Sequence, residues 1–401
     1  VFAALRAKTT GFEPTPYGIL LSRQKESLAL FADRDYSVRE YGKRMTKSFG
    51  MLTLGQDPGN GYEESSPAPN EFIAKITRAD AYRLALKVGT ALLAMAPSVD
   101  QPGPAPKSRR IVDLTVWADQ AFCEIVEVCF GFPDPAVMRK GGAAQMMGPL
   151  PCCPDDFRAV SGYIFEAQPT DAQAQAALAR GALIASAGAT FTKARRQALA
   201  GGVPPPNPLT LIDYLVSTGY MKNDDDATSR AWIGAVNGFT VPTGESFERI
   251  IGGWLNEDIF WEIQSAYAAL PNKASLDLLD ENKGGLLATA VIKAFQMAPV
   301  PFALHRRVKA NRELTPGVVA TPDTAVVVLT TSVGQELFDK QSLDYAALFG
   351  GAFDPAKPPG AAVHACPGRE MALGVLMGLA AAVFEKANVV WEGLLSVSFD
   401  A

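Results

Sequence analysis

Cys366 is the residue of this chain best placed to do chemistry. It lies in Pro358-Pro359-Gly360-Ala361-Ala362-Val363-His364-Ala365-Cys366-Pro367-Gly368-Arg369-Glu370, which runs directly into an apolar helical pattern. A cysteine at a helix start meets unpaired backbone N–H groups and the positive end of the dipole, and both favour thiolate over thiol. Pro367 suits a first helical turn, and Gly368, having no Cβ, lets a flat macrocycle approach the backbone. A haem held by a thiolate is the chemistry this points to. His364, two residues before the sulfur on an extended loop, falls on the same side and can donate to a haem propionate. The alternative is a buried structural cysteine.

The elements that must position this loop are mostly helices. Apolar residues spaced by three and four recur over Ala81 to Ala94, Ile111 to Phe130, Ala174 to Leu199, Thr228 to Leu255, Gly285 to Phe295 and Pro367 to Lys386. Tyr17 to Leu21 and Thr324 to Leu329 are β-rich and follow proline-containing turns, so a small sheet should accompany the helices. Proline-rich breaks at 97–108, 201–208 and 353–360 read as interior loops. The chain has 401 residues, 48% of them hydrophobic and 20% charged, enough for a large core. A net charge of −5 without a basic block argues against nucleic acid as partner. The longest uncharged apolar run, Met371 to Phe384, falls short of the roughly 20 residues needed to span a bilayer. Five scattered cysteines form no disulfide framework, which favours a reducing, cytoplasmic location. With only His305 and His364 as histidines, a zinc site is not expected.

The cysteine stretch resembles the haem-ligand loop of cytochromes P450, in which phenylalanine, glycine, a basic residue, the cysteine and a second glycine follow a set spacing. The resemblance makes Cys366 the proximal ligand of a b-type haem, His364 the basic residue and Gly368 the second glycine. Pro359 stands in place of the phenylalanine and Ala362 in place of the first glycine. Pro299-Val300-Pro301 followed by His305-Arg306-Arg307-Val308 looks like the segment that leaves helix K of that family and brings an arginine to a propionate. Arg307 is the first choice for that role, with Arg306 or His305 as alternates. A solvated basic turn is the plainer reading. Tyr17 to Arg23 and Leu28 to Val38 are similar to the first strand and helix B. The resemblance implies a mainly α P450 fold with a small β-rich region over 1–401 as one haem domain, lacking the usual N-terminal region or cut from a longer chain. Two family features are missing. Ile292 and Phe295 occupy the places of the Glu-x-x-Arg pair of helix K, a loss that apolar packing can absorb. The stretch from Tyr62 to Ile76 offers acids and Asn70 where helix C normally brings a propionate partner.

Monooxygenating P450s carry a glycine, an acid and a threonine on a helix above the iron, which relay protons to dioxygen. The matching stretch here is Ile233 to Glu245 (IGAVNGFTVPTGE). Gly238 and Pro242 should loosen or kink the helix, as a distal groove requires. Thr240 falls on the acid's place and Val241 or Pro242 on the threonine's. Asn237, an amide that donates and accepts without supplying protons, either orients a peroxide oxygen or caps the break at Gly238. Thr243 and Glu245 are the candidates for a shifted relay, with a surface-facing Glu245 as the plainer reading. Val236, Phe239, Val241 and Phe302 are expected to line an apolar pocket. Tyr36 to Met45, the opening at the first strand and Tyr62 to Asn70 resemble the P450 part of haem peroxidase or dioxygenase fusions that act on fatty acid hydroperoxides. The expectation is a haem-thiolate enzyme that rearranges or isomerises a lipid hydroperoxide without an electron donor, with a fused or separate peroxidase or dioxygenase as partner. An O2- and reductase-dependent monooxygenase of an apolar substrate and a non-catalytic haem-binding domain are the rivals.

Overall fold

The computed structural model describes residues 1–7, 10–59, 61–101, 107–131, 154–166, 168–354 and 364–401. Pro359 and Ala362 lie outside the described residues, as do Cys152 and Cys153.

Helix α1 (Phe2–Ala7) leads into β1 (Phe12–Thr15) and β2 (Gly18–Leu21), followed by α2 (Gln24–Ala32), β3 (Tyr36–Ser37), α3 (Arg39–Ser48), α4 (Tyr62–Ser65), α5 (Pro67–Ala74) and α6 (Arg78–Ala94). Then come β4 (Ser98–Gln101), β5 (Lys107–Asp113), α7 (Leu114–Phe130), α8 (Pro154–Phe165), α9 (Asp171–Ala200), α10 (Leu211–Ser217), α11 (Asp225–Asn256), α12 (Ile259–Ala268) and α13 (Leu286–Met297). The last third carries β6 (Leu304–Val308), β7 (Arg312–Thr315), β8 (Val318–Ala320), β9 (Ala325–Val328), α14 (Thr330–Asp339), α15 (Arg369–Phe384), β10 (Val390–Gly393) and β11 (Ser396–Asp400). Among the described residues no helix is long and apolar enough to cross a membrane.

The main sheet has the order β1-β2-β9-β6-β3, a second is ordered β10-β11-β5-β4, and β7 pairs with β8. The expected strand near Tyr17 is a hairpin, Tyr17 being its exposed turn. Val326 and Val328 of β9 are fully buried, because the central strand is covered on that face. The segment expected as a helix from Leu28 to Val38 instead ends α2 at Ala32 and pairs Tyr36–Ser37 with β6.

α15 explains its own composition: every residue from Leu373 to Phe384 is buried. It lies along α6 at a separation that only glycine allows, since a Cβ on Gly374 or Gly378 would strike the carbonyl of Arg78 or Tyr82. α7 and α11 complete the helical core around it, with Trp117 packed against Phe247.

Candidate haem-thiolate site

Cys366 sits between two fixed points. Its N–H donates to the Phe349 carbonyl at 3.0 Å, and the Phe349 ring stacks on Phe295 of α13 at 5.1 Å. Gly368 caps α15 and Pro367 precedes the helix, not inside its first turn as expected. Burial pushes the Cys366 thiol up, opposed by the Gly368 N–H and the Arg369 guanidinium. The helix start therefore does not outweigh desolvation by itself.

His364 takes a left-handed backbone conformation (φ 66°) and buries its ring edge-on to Tyr62, with centroids 4.9 Å apart. Among the described residues neither of its ring nitrogens has a hydrogen-bond partner, which is costly for a buried imidazole. Burial, then Arg306 and Lys309, hold its protonation well below the usual histidine range.

Strand parity separates the two candidate arginines. On β6, Arg306 shares the buried face with Val308, whereas Arg307 points outward, where it bonds the Asp323 carbonyl at 2.9 Å and lies 3.6 Å from Glu40. Arg306 is 6% exposed, stacks over Phe31 at 5.2 Å and, among the described residues, makes its hydrogen bond to the His305 carbonyl at 2.9 Å. Burial lowers its pKa, while Tyr41 and Asp57 raise it. A buried guanidinium with no carboxylate of the described residues in salt-bridge reach is an anion site in waiting. The register with β9 thus turns Arg306, the alternate, inward and Arg307, the first choice, outward. His305, also on the outward face, has burial, followed by Arg44, Arg307 and Arg306, pushing its pKa down to about 4.

α11 runs unbroken through Pro242, so the expected break at Gly238 is not a helix end and Asn237 does not cap one. Pro242 has no N–H to give the Gly238 carbonyl, while Ser246 Oγ bonds the Pro242 carbonyl at 2.6 Å. Gly238 is exposed and a Cβ there would meet nothing; Gly234, Ala235 and Pro242, partly exposed, share its face. Glu245, seven residues on, returns to that face, while Thr243, about 140° round the helix from Gly238, is 4% exposed. Asn237 is 3% exposed and its amide oxygen accepts from Ser161 Oγ of α8 at 2.9 Å, a partner the sequence did not suggest. The expected pocket residues divide: Val236, Phe239 and Val241 are buried, Phe239 against Phe122 and Phe130 of α7, and only Phe302 is exposed. Phe239 belongs to the helical core because position 239 is turned from the Gly238 face.

No family model matches the chain, and no curated protein matches it. Its backbone is nevertheless similar to many solved structures. One is P450BioI in complex with an acyl carrier protein ligated to hexadec-9Z-enoic acid: TM-score 0.66, 11% identity, covering 100% of this chain and 97% of that one. A P450 haem domain from Tepidiphilus thermophilus gives 0.66 at 12% identity over 100% and 93% of the two chains. CalO2 gives 0.65 at 14% identity over 100% and 94%. The chain has the cytochrome P450 fold, mainly helical with a small β-rich region.

Proposed function

We propose that this chain is a haem-thiolate enzyme that rearranges a fatty acid hydroperoxide without an external electron donor. The donor set fits haem b: Cys366 at a helix start for the iron, and buried Arg306 with the unpartnered His364 nitrogens for the propionate edge. Bound through Cys366, haem would supply the centre at which the O–O bond of the substrate is cleaved. The propionates would relieve the cost of burying Arg306, and that charge pairing would help hold the group.

The single observation that carries the choice of reaction is the makeup of the open face of α11. Gly234, Ala235, Gly238 and Pro242 offer no titratable proton there, Thr243 is turned away, and the carboxyl on that face, Glu245, stands two turns from Gly238. Dioxygen activation consumes protons and electrons, whereas a hydroperoxide enters with its O–O bond already reduced; its isomerisation moves an oxygen within the molecule and adds no electron. Asn237 is buried about 100° round the helix from Gly238, and with its carbonyl committed to Ser161 its NH2 is the end that would donate to a peroxide oxygen reaching that flank of the groove. The Gly238 carbonyl, without an N–H from Pro242, would accept from the hydroperoxide O–H. The carrier-bound hexadecenoic acid of the P450BioI complex is a precedent for a long acyl chain in this fold. A fused or separate peroxidase or dioxygenase would supply the hydroperoxide.

One observation favours a second reading. Glu245 returns to the Gly238 face two turns on, and with a reductase and O2 it would serve as the proton source of a monooxygenase. Anaerobic incubation of the haem-loaded chain with a fatty acid hydroperoxide, without NAD(P)H, decides between them: loss of hydroperoxide with formation of an isomeric product supports the first, inertness the second.

A further inference from the structure

α13, the helix under the cysteine loop, reads LLATAVIKAFQM and contains neither glutamate nor arginine. The helix start that follows Cys366 is nevertheless tied down by charge. Arg78, at the start of α6, donates from Nε to Glu370 at 2.8 Å, from Nη2 to the Tyr345 hydroxyl at 2.8 Å and from Nη1 to the Leu279 carbonyl at 2.6 Å, and pairs with Glu281. The Tyr345 hydroxyl in turn donates to Glu370 at 3.1 Å. Arg78 and Glu281 side chains are 13% and 12% exposed, so the cluster is largely shielded from water. Glu370 stands four residues after Cys366, in the first turn of α15, with Arg369 Nε 3.4 Å away. The glycine-mediated approach of α15 to α6 fixes this meeting, since Gly374 rests on the Arg78 carbonyl itself. From the other side, Gln296 of α13 donates to the carbonyls of Ser342 and Asp344 at 2.8 and 2.9 Å, anchoring the segment that carries Tyr345.

We propose that Arg78 is a positioning residue for the proximal ligand, clamping Glu370 and Tyr345 so that the start of α15 and the Cys366 sulfur are held in one place. The inference rests on the haem reading above. Arg78 acts in two ways: its bond to Glu370, reinforced by the Tyr345 hydroxyl that it also holds, fixes the first turn of α15, and its charge neutralises a carboxylate that would otherwise oppose a thiolate one turn away.

The test uses the full chain loaded with haem, in wild type, Arg78→Met, Arg78→Lys and Tyr345→Phe. Haem release to a scavenging apoprotein and the band position of the ferrous–CO complex are read, along with unfolding of the haem-free chain. Arg78→Met should release haem about 10 to 100 times faster, the effect of losing one to two charge-assisted bonds. It should also shift part of the CO complex from the thiolate band to the neutral-thiol band. Arg78→Lys should restore the band in part, and Tyr345→Phe, which keeps the fold, should move both readouts in the same direction by less. A wild-type thiolate band with both readouts unmoved in Arg78→Met and Tyr345→Phe overturns the clamp alone, as does a loss of apo stability with haem release unchanged. A wild type without any thiolate band overturns the haem reading, and the clamp with it.

Discussion

At the scale of single residues, the site is made by what burial leaves unsatisfied. Arg306 is a buried cation without a carboxylate in salt-bridge reach, and His364 a buried imidazole without a hydrogen-bond partner, among the described residues, and the haem propionates proposed above would complete both. Arg306→Ala should therefore weaken haem binding by about 10 to 150-fold, one charge-assisted hydrogen bond of about 1.5 to 3 kcal/mol, while Arg307→Ala, bonded at the surface to Asp323 and Glu40, should leave a haem titration nearly unchanged. The other histidine, His305, gives a separate signature in the stability of the fold. Folded His305 takes up a proton only near pH 4, and unfolded His305 near 6.5. The unfolded state thus binds more protons between those values, and stability should fall as pH drops through that window. Urea midpoints measured from pH 7 to 4 should show a shallower decline in His305→Gln than in wild type.

At the scale of elements, the long helices and the β-rich TAVVVL run were legible because periodicity of 3.6 and a β-branched run behind a proline-containing turn are local signals. What was not legible depended on partners far away in the chain. Ile111 to Asp113 reads as the start of a helix, yet it is strand: Val112 and Ile111 pair with Val397 and Ser398, and Asp113 accepts the N–H groups of Thr115 and Val116 to begin α7. Which of two adjacent arginines turns inward was set by the register of β6 on β9, invisible without β9. Arg78 carried no motif, and its role emerges only where Gly374 lets α15 touch α6. Two predictions belong here. Gly378→Val, forced against the Tyr82 carbonyl, should cost about 1 to 3 kcal/mol or more of stability, read as a lower urea midpoint. On α11, Asn237→Leu should keep the haem spectrum and slow hydroperoxide loss by about ten to a hundredfold, with Thr243→Val having less effect. Ser161→Ala, which frees the Asn237 amide to rotate, should move the rate in the same direction.

At the scale of the whole molecule, the order strand, helices, late β-rich region, cysteine, last helix was readable from composition and spacing, and the architecture matches the P450 fold over the full chain at very low identity. Fold alone leaves the reaction open, since the same scaffold serves different chemistries. The proposed reaction rests on the makeup of the α11 face around Gly238, so the most direct measurement is hydroperoxide turnover by the haem-loaded chain, anaerobically and without NAD(P)H. The account predicts that hydroperoxide disappears with an isomeric product formed in equal amount, and that Cys366→Ala abolishes this. A chain inert to hydroperoxides under these conditions, yet active on an apolar substrate with NADPH, a reductase and oxygen, would contradict it.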